Sequence, residues 1–176
     1  HYLTLKEQYK DCLLFYRLGD FYEMFFDDAK IASKVLELTL TGRDCGLEER
    51  APMCGIPHHA AETYVAKLLG AGFKVGICEQ LSEPKKGEIV KRDVVRIMTP
   101  GTLYEDNLLD SKKNNYIVSV SKHLDGYGVA YSDVSTGDFY TLELKGEDSK
   151  NQLSDLLVGI NPAEIIADNT SSQDIT

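Results

Sequence analysis

The chain has 176 residues, 43% hydrophobic and 27% charged, values that suit one comfortable folded domain or two small ones and argue against disorder. Its 19 Lys+Arg against 28 Asp+Glu leave a net charge of -9, which argues against a histone-like or polybasic nucleic-acid binder and against electrostatic adhesion to anionic membranes. Net charge only averages local patches, so a role on nucleic acid stays open. No stretch approaches the roughly 18 apolar residues of a membrane span. The N-terminus HYLTLKEQYKD carries no apolar signal core with a cleavage site. Cys12, Cys45, Cys54 and Cys78 lie at irregular spacings without a C-x-x-C pair, which disfavours a zinc site or a disulfide framework and points to buried free thiols in a reducing cytoplasm. The start on His1 rather than Met, and the closing polar run 169–176, lead us to expect a piece of a longer protein.

In chain order, Leu3 to Tyr9 reads as a short helix feeding the apolar run Cys12-Leu13-Leu14-Phe15-Tyr16, a buried strand bounded by a turn at Gly19-Asp20. From Asp27 to Leu38, Ile31, Val35 and Leu38 fall at i, i+4 and i+7 on one helical face, with Asp27 and Asp28 near the positive end. Glu37 to Glu49 loses the helical period and ends in a charged loop. Ala60 to Leu69 reads as a second amphipathic helix, with Ala61, Tyr64, Val65 and Leu68 inward and Gly70 or Gly72 as its stop. Phe73–Cys78 and Val90–Met98 read as a β-hairpin with its tip at Ser82 to Gly87. The irregular stretch Thr99 to Asn115 is the candidate linker.

Beyond it, Tyr116–Val120, Tyr127–Val134 and Asp138–Leu144 read as strands, the last two joined by a tight turn at Ser135-Thr136-Gly137. Asp148 or Ser149 can cap a helix with Leu153, Leu156 and Leu157 inward, ending at Gly159. Asn161-Pro162 breaks it, and Ala163–Ala167 returns as a strand. The order β-β-β-α-β is an α/β layer that needs more chain to cover both sheet faces.

The most informative stretch is Gly19-Asp20-Phe21-Tyr22-Glu23-Met24-Phe25-Phe26, with four aromatics within six residues. A buried core uses two or three of them, but a chain that alternates faces cannot bury all four on one side. The functional alternative is an aromatic projecting from a strand end with Glu23 beside it as an acceptor, able to stack on a nucleobase or wedge into a base step. Lys85, Lys86, Lys91, Arg92 and Arg96 make the hairpin the most basic neighbourhood, a solvated ribbon or a phosphate contact. His58-His59 sits in a Pro-preceded turn before a helix, where a cap or surface role is commoner than metal binding, and no metal is assigned. No phosphate-binding G-x-x-x-x-G-K-[ST] is present.

The run Asp11 to Phe25 resembles the N-terminal signature of the MutS family of DNA mismatch-repair proteins. Pro52-Met53-Cys54-Gly55-Ile56-Pro57-His58-His59-Ala60, Ile77-Cys78-Glu79-Gln80 and Val94-Val95-Arg96-Ile97-Met98-Thr99-Pro100-Gly101-Thr102 are similar to its next three blocks, in family order. Four blocks over most of residues 1–102 are far more specific than any three-residue motif. Residues 111–176 are similar, more loosely, to the start of the family's connector domain.

The resemblance implies an α/β fold in two parts. Residues 1–110 are expected to form a mixed-sheet mismatch-recognition domain with flanking helices, and residues 111–176 the N-terminal part of a truncated ribonuclease H-like connector domain. It implies that Phe21 and Glu23 are a Phe-x-Glu pair reading mispaired or looped double-stranded DNA from the minor groove, with Arg43, Met53 and Arg96 as further DNA-binding residues. Stacking tolerates any base, and a mismatched step is cheaper to unstack and bend than a paired one. Glu23 either accepts a hydrogen bond from a base or, protonated, donates one; against correct duplex its charge stays uncompensated and disfavours binding. No catalytic site or cofactor is expected in this chain. The family's ATP and Mg²⁺ site lies in a C-terminal domain beyond Thr176, and the whole protein is implied to be a homodimeric, DNA-dependent ATPase that recruits MutL.

Two rivals remain. A ribonuclease H-like nuclease needs a carboxylate cluster including one on its first strand; Tyr116–Val120 offers none, leaving Asp133 and Asp168. A protein-docking module without DNA contact would suit the acidity. That acidity is uneven: residues 1–110 carry 14 Lys+Arg and 18 Asp+Glu, whereas residues 111–176 carry 5 and 10. The charge is concentrated in the part not expected to touch DNA.

Overall fold

The computed structural model describes residues 1–46, 48–82, 90–103 and 114–175. The run Cys12–Leu18 (β1) has its first five side chains buried, as expected of a strand with both faces covered. It turns through Gly19-Asp20, with Gly19 at φ +59°, into the antiparallel strand Phe21–Phe25 (β2). Gly at the first central position with positive φ suits a primed two-residue hairpin turn.

The remaining strands complete a six-stranded mixed sheet: Thr41–Arg43 (β3), Ala51–Pro57 (β4), Lys74–Gln80 (β5) and Arg92–Met98 (β6), in the order β3-β4-β2-β1-β5-β6. Among the described strands of this sheet only β1 and β5 pair in parallel; β5 and β6 form the expected hairpin, with a bulge at Ile77/Cys78. The hairpin tip 83–87, and with it Lys85 and Lys86, lies outside the described residues. β4 escaped the sequence reading because two prolines and Gly55 depress its strand pattern. Arg43 is the last residue of β3.

Helix Tyr2–Gln8 (α1) covers one face, where Tyr2 and Leu5 pack with Leu14, Tyr16, Phe25 and Cys78. Helices Phe26–Val35 (α2) and Ala61–Gly70 (α3) cover the other. The apolar face expected for α2 is corrected. Asp28, Ala29 and Ala32 turn inward, while Ile31 and Val35 are only half-buried, because small side chains let the helix backbone approach Cys54 on β4. The helix also stops short of Leu38: Glu37 adopts φ +56° and the Leu38 N–H closes onto the Ser33 carbonyl. α3 ends in a Schellman turn, with Phe73 N–H on Leu68 O and Gly72 (φ +86°) N–H on Leu69 O.

Two compact units result, His1–Thr99 and Pro100–Thr176. In the second, Tyr116–His123 (β7), Gly126–Asp133 (β8) and Asp138–Lys145 (β9) form an antiparallel meander, and Glu164–Ala167 (β10) adds in parallel beside β7. Helix Ser149–Ile160 (α4) presses Leu153 onto Val118, Val120, Tyr127 and Val129. It runs one residue past Gly159, and left-handed Asn161 (φ +48°) followed by Pro162 stops it. The first residues of the candidate linker, Pro100–Thr102, form a 3₁₀ turn in which Gly101 is buried against Ile117 and Glu164; a Cβ on Gly101 would meet both at under 3 Å. Residues 104–113 of that stretch lie outside the described residues.

The closing polar run has a structure that its composition does not announce. Asn169–Ile175 is a helix (α5), because Asp168 accepts the Thr170 and Ser171 N–H groups as an N-cap and Asp174 binds Lys122, Lys150 and Tyr127. Hydrogen bonds from Lys122 and Lys150 hold the Asp174 carboxyl below the usual carboxylate range.

All four cysteines are free. Burial pushes the Cys12 and Cys54 thiols up to about 11 and the Cys78 thiol to about 12, so they stay protonated and inert at neutral pH; the expectation of buried thiols is corrected for Cys45, which is exposed in the loop between β3 and β4. A maleimide is therefore expected to label one thiol, Cys45, in the native chain and all four after denaturation. Mass spectrometry checks this; rapid native labelling of Cys54 or Cys78 would contradict the packing described.

Candidate nucleic-acid interface

Alternation along β2 separates its aromatics. Tyr22 and Met24 enter the core on the α2/α3 face, while Phe21, Glu23 and Phe25 share the opposite face. Phe25 sits against the Tyr2 ring, centroids 5.1 Å apart, in the cluster under α1. Phe21, at the uncovered end, remains 48% exposed. Phe25 and Phe21 thus share a face, and only Phe25 is covered by α1, which leaves Phe21 in solvent.

Register places the neighbours. Phe21 lies opposite Leu18 and Pro57, Glu23 opposite Tyr16 and Gly55, and Phe25 opposite Met53; Met53 in turn faces Thr41, and Ala51 faces Arg43. Paired residues share a sheet face, so Phe21, Glu23, Arg43 and Met53 all lie on one face. There the Arg43 guanidinium makes a close ion pair with the Glu23 carboxylate and stands 5.9 Å over the Phe25 ring. The Glu23 side chain is 17% exposed and that of Arg43 45%, so the acid is the more sheltered partner.

Gly55 makes the space. A Cβ there would stand 3.4 Å from Glu23 Cγ and 3.3 Å from the Tyr22 carbonyl oxygen. The sequence reading missed this role, although an isolated Gly in a strand is the expected sign of close approach.

Arg96 does not join the cluster. It pairs with Ile77, which pairs with Phe15, and so belongs to the opposite face; β6 is also three strands from β2, at about 4.8 Å per strand. Arg92 is committed to structure: its Nε donates to the Arg17 carbonyl at 2.8 Å and its guanidinium stands 5.4 Å over the Tyr16 ring.

The carboxylates that a nuclease would use are engaged elsewhere. Asp133 is buried and accepts from the Asn115 N–H and from the Ser135 N–H and hydroxyl, and Asp168 caps α5. Burial works against ionising Asp133, but these hydrogen bonds outweigh it and leave the carboxyl below its usual range. Among the described residues no three His, Cys, Asp or Glu side chains converge as a metal cluster, and no helix is long and apolar enough to cross a membrane. The His58 ring stands in the 3₁₀ turn His58–Ala60, against the Asp20 carbonyl.

Fold and surface together define a two-unit α/β protein whose first sheet gathers aromatic, carboxylate and guanidinium groups on one face. The family model described as MutS domain I matches residues 1–107, and that described as MutS domain II matches residues 115–176. The chain is 55% identical over 174 residues to the DNA mismatch repair protein MutS of Ruminiclostridium cellulolyticum, covering 98% of this chain and 20% of that protein. It is 55% identical over 166 residues to the protein of the same name from Acetivibrio thermocellus, covering 94% of this chain and 19% of that one. For the MutS of Clostridium botulinum the identity is 54% over 169 residues, 96% of this chain and 18% of the relative. The chain belongs to the MutS family. It spans about a fifth of the length of the curated relatives it matches.

Proposed function

We propose that this chain is the mismatch-reading part of a DNA mismatch-repair protein, and that Phe21 reads a mispaired or looped site by stacking on the base from the minor groove while the duplex bends. The observation that carries this reading is the half-exposed Phe21 ring at the open end of β2, on one face with Glu23 and Arg43. Stacking on a base returns about 1–3 kcal/mol with little regard to base identity. Bending a site costs about 1–6 kcal/mol and less at a weakened step. Discrimination then follows from the DNA being easier to deform where pairing is lost.

Glu23 adds a penalty on correct duplex, and Arg43 tempers it. While the ion pair holds, the pair presents little net charge to the phosphates. When a mismatched base offers a hydrogen bond to the carboxylate, Arg43 is released toward the backbone. Titrating the full-length protein with matched and mismatched duplexes tests this. Glu23→Ala is expected to tighten matched-duplex binding roughly three- to tenfold at low salt, less at high salt because exposed charges are screened. Arg43→Ala is expected to weaken both duplexes. Matched-duplex affinity that does not move in Glu23→Ala at low salt counts against the penalty.

The remaining length of the protein is where we place nucleotide and Mg²⁺ binding, dimerisation and recruitment of MutL. Residues 1–110 serve in this reading as the recognition domain and residues 111–176 as the start of the connector.

A further inference from the structure

The Gly19-Asp20 turn that leads into Phe21 is tied on both sides by residues remote in sequence. On one side the Gly19 N–H donates to Gln80 Oε1 at 3.0 Å. Arg92 braces that acceptor, with Nη2 3.4 Å from Gln80 Oε1 and Nε donating to the Arg17 carbonyl beneath the turn. On the other side the Asp20 carbonyl accepts the His58 N–H at 2.9 Å, with His58 Nδ1 3.2 Å away. The Gly19 carbonyl takes Arg17 Nε at 2.5 Å.

A two-residue hairpin turn closes through its flanking pair, here Leu18 and Phe21, and needs no such bracing. Solvent can satisfy exposed turn groups equally well, so what these bonds supply is orientation more than stability. With its ring half exposed, Phe21 takes its direction from the backbone that emerges from this turn. A recognition side chain that is loose by about 1 Å loses much of its effect.

We infer that Gln80 is a positioning residue for Phe21, holding the Gly19-Asp20 turn from the β5 side while His58 holds it from the β4 side, so that the ring meets the duplex in one pose. The inference rests on the stacking reading of Phe21. Nothing in Gln80 itself needs to touch DNA.

The test measures the ratio of mismatched to matched duplex affinity in the full-length protein, with thermal unfolding alongside. Gln80→Met keeps the size of the side chain and removes the acceptor; it is expected to lower the ratio roughly three- to tenfold, part of what losing the stack costs, without shifting the melting temperature. Gln80→Glu retains an acceptor for the Gly19 N–H and is expected to keep the ratio. In a Phe21→Ala background Gln80→Met is expected to change nothing further. If Phe21→Ala loses discrimination while Gln80→Met keeps it, the positioning role fails and stacking stands. If Phe21→Ala keeps discrimination, both fall. A fall in melting temperature that accompanies the lost ratio, a loss in Gln80→Glu equal to that in Gln80→Met, or an added loss on top of Phe21→Ala would each overturn the inference in favour of a merely structural or separate role.

Discussion

Phe21→Ala in the full-length protein is expected to remove most of the preference for mismatched over matched duplex, a change of roughly 5- to 150-fold if the stacking contact is worth about 1–3 kcal/mol. The fold should barely notice. The ring is 48% exposed, and surface substitutions away from special features usually fall within about 0.5 kcal/mol. Matched-duplex binding, which rests on phosphate contacts, should change little by comparison. Phe21→Trp is the complementary variant: a larger stacking face at the same position should preserve discrimination. Fluorescence anisotropy with oligonucleotides that differ at one base pair reads both, and equal discrimination in Phe21→Ala and the parent would end the stacking account. Tyr22, one residue on, is the contrasting case. Its ring is buried beside Phe15 and its hydroxyl binds Glu79, so truncation there should damage the fold first.

The second large effect lies at the junction of α1, β1 and α2. Asp28 is 3% exposed and joins three elements: it accepts from Tyr2 Oη at 2.6 Å on α1 and from the Leu14 N–H at 3.1 Å on β1, and it pairs with Lys6 Nζ at 2.8 Å. Burial first, and then the Asp28 charge, push the Tyr2 phenol far above its ordinary range, so it stays a donor at every accessible pH. Asp28→Ala strands the buried Leu14 N–H, leaves the Tyr2 hydroxyl only its long bond to the Phe25 carbonyl at 3.5 Å, and leaves the largely covered Lys6 ammonium only the Cys12 carbonyl. Breaking such a buried pair costs about 3–5 kcal/mol, a large share of the 5–15 kcal/mol typical of a whole domain. Asp28→Asn, which keeps one acceptor and the shape, should lose roughly half as much. Urea unfolding of the 176-residue chain measures both; a loss below about 1 kcal/mol for the alanine variant would show that the three-way junction carries little.

Asp28 also shows where sequence reading stops. An acidic residue in the first turn of a helix is sufficiently explained by the helix dipole, and the local pattern gives no hint that the side chain is buried. The misplaced face of α2 has the same origin. Branched residues at helical spacing look like the inward stripe, yet Ala29 and Ala32 lie inward because a sheet strand comes close enough to need them. α5 went unread because its helix depends on a cap from Asp168 and an anchor at Asp174, not on an apolar stripe. By contrast, β1, the β5–β6 hairpin, α3 and the β7–β8–β9 meander were legible, since their apolar period and turn residues lie within a few positions of one another.

For the candidate site the division is similar. From the sequence it follows that the four aromatics of the Phe21–Phe26 run cannot all be buried on one side of a strand, because a strand alternates with period two; that Phe21 and not Phe25 stays exposed on their shared face follows from α1 packing over Phe25. The sequence also carried the four family blocks. Tertiary structure alone decided that Glu23 meets Arg43 across β4, that Gly55 leaves room for it, that Gln80 and His58 grip the turn before Phe21, and that Arg96 falls on the other face. Periodicity and turn chemistry are written over a few residues, whereas sheet order and register come from pairing between segments 20 to 60 residues apart, and register is what assigns each side chain a face.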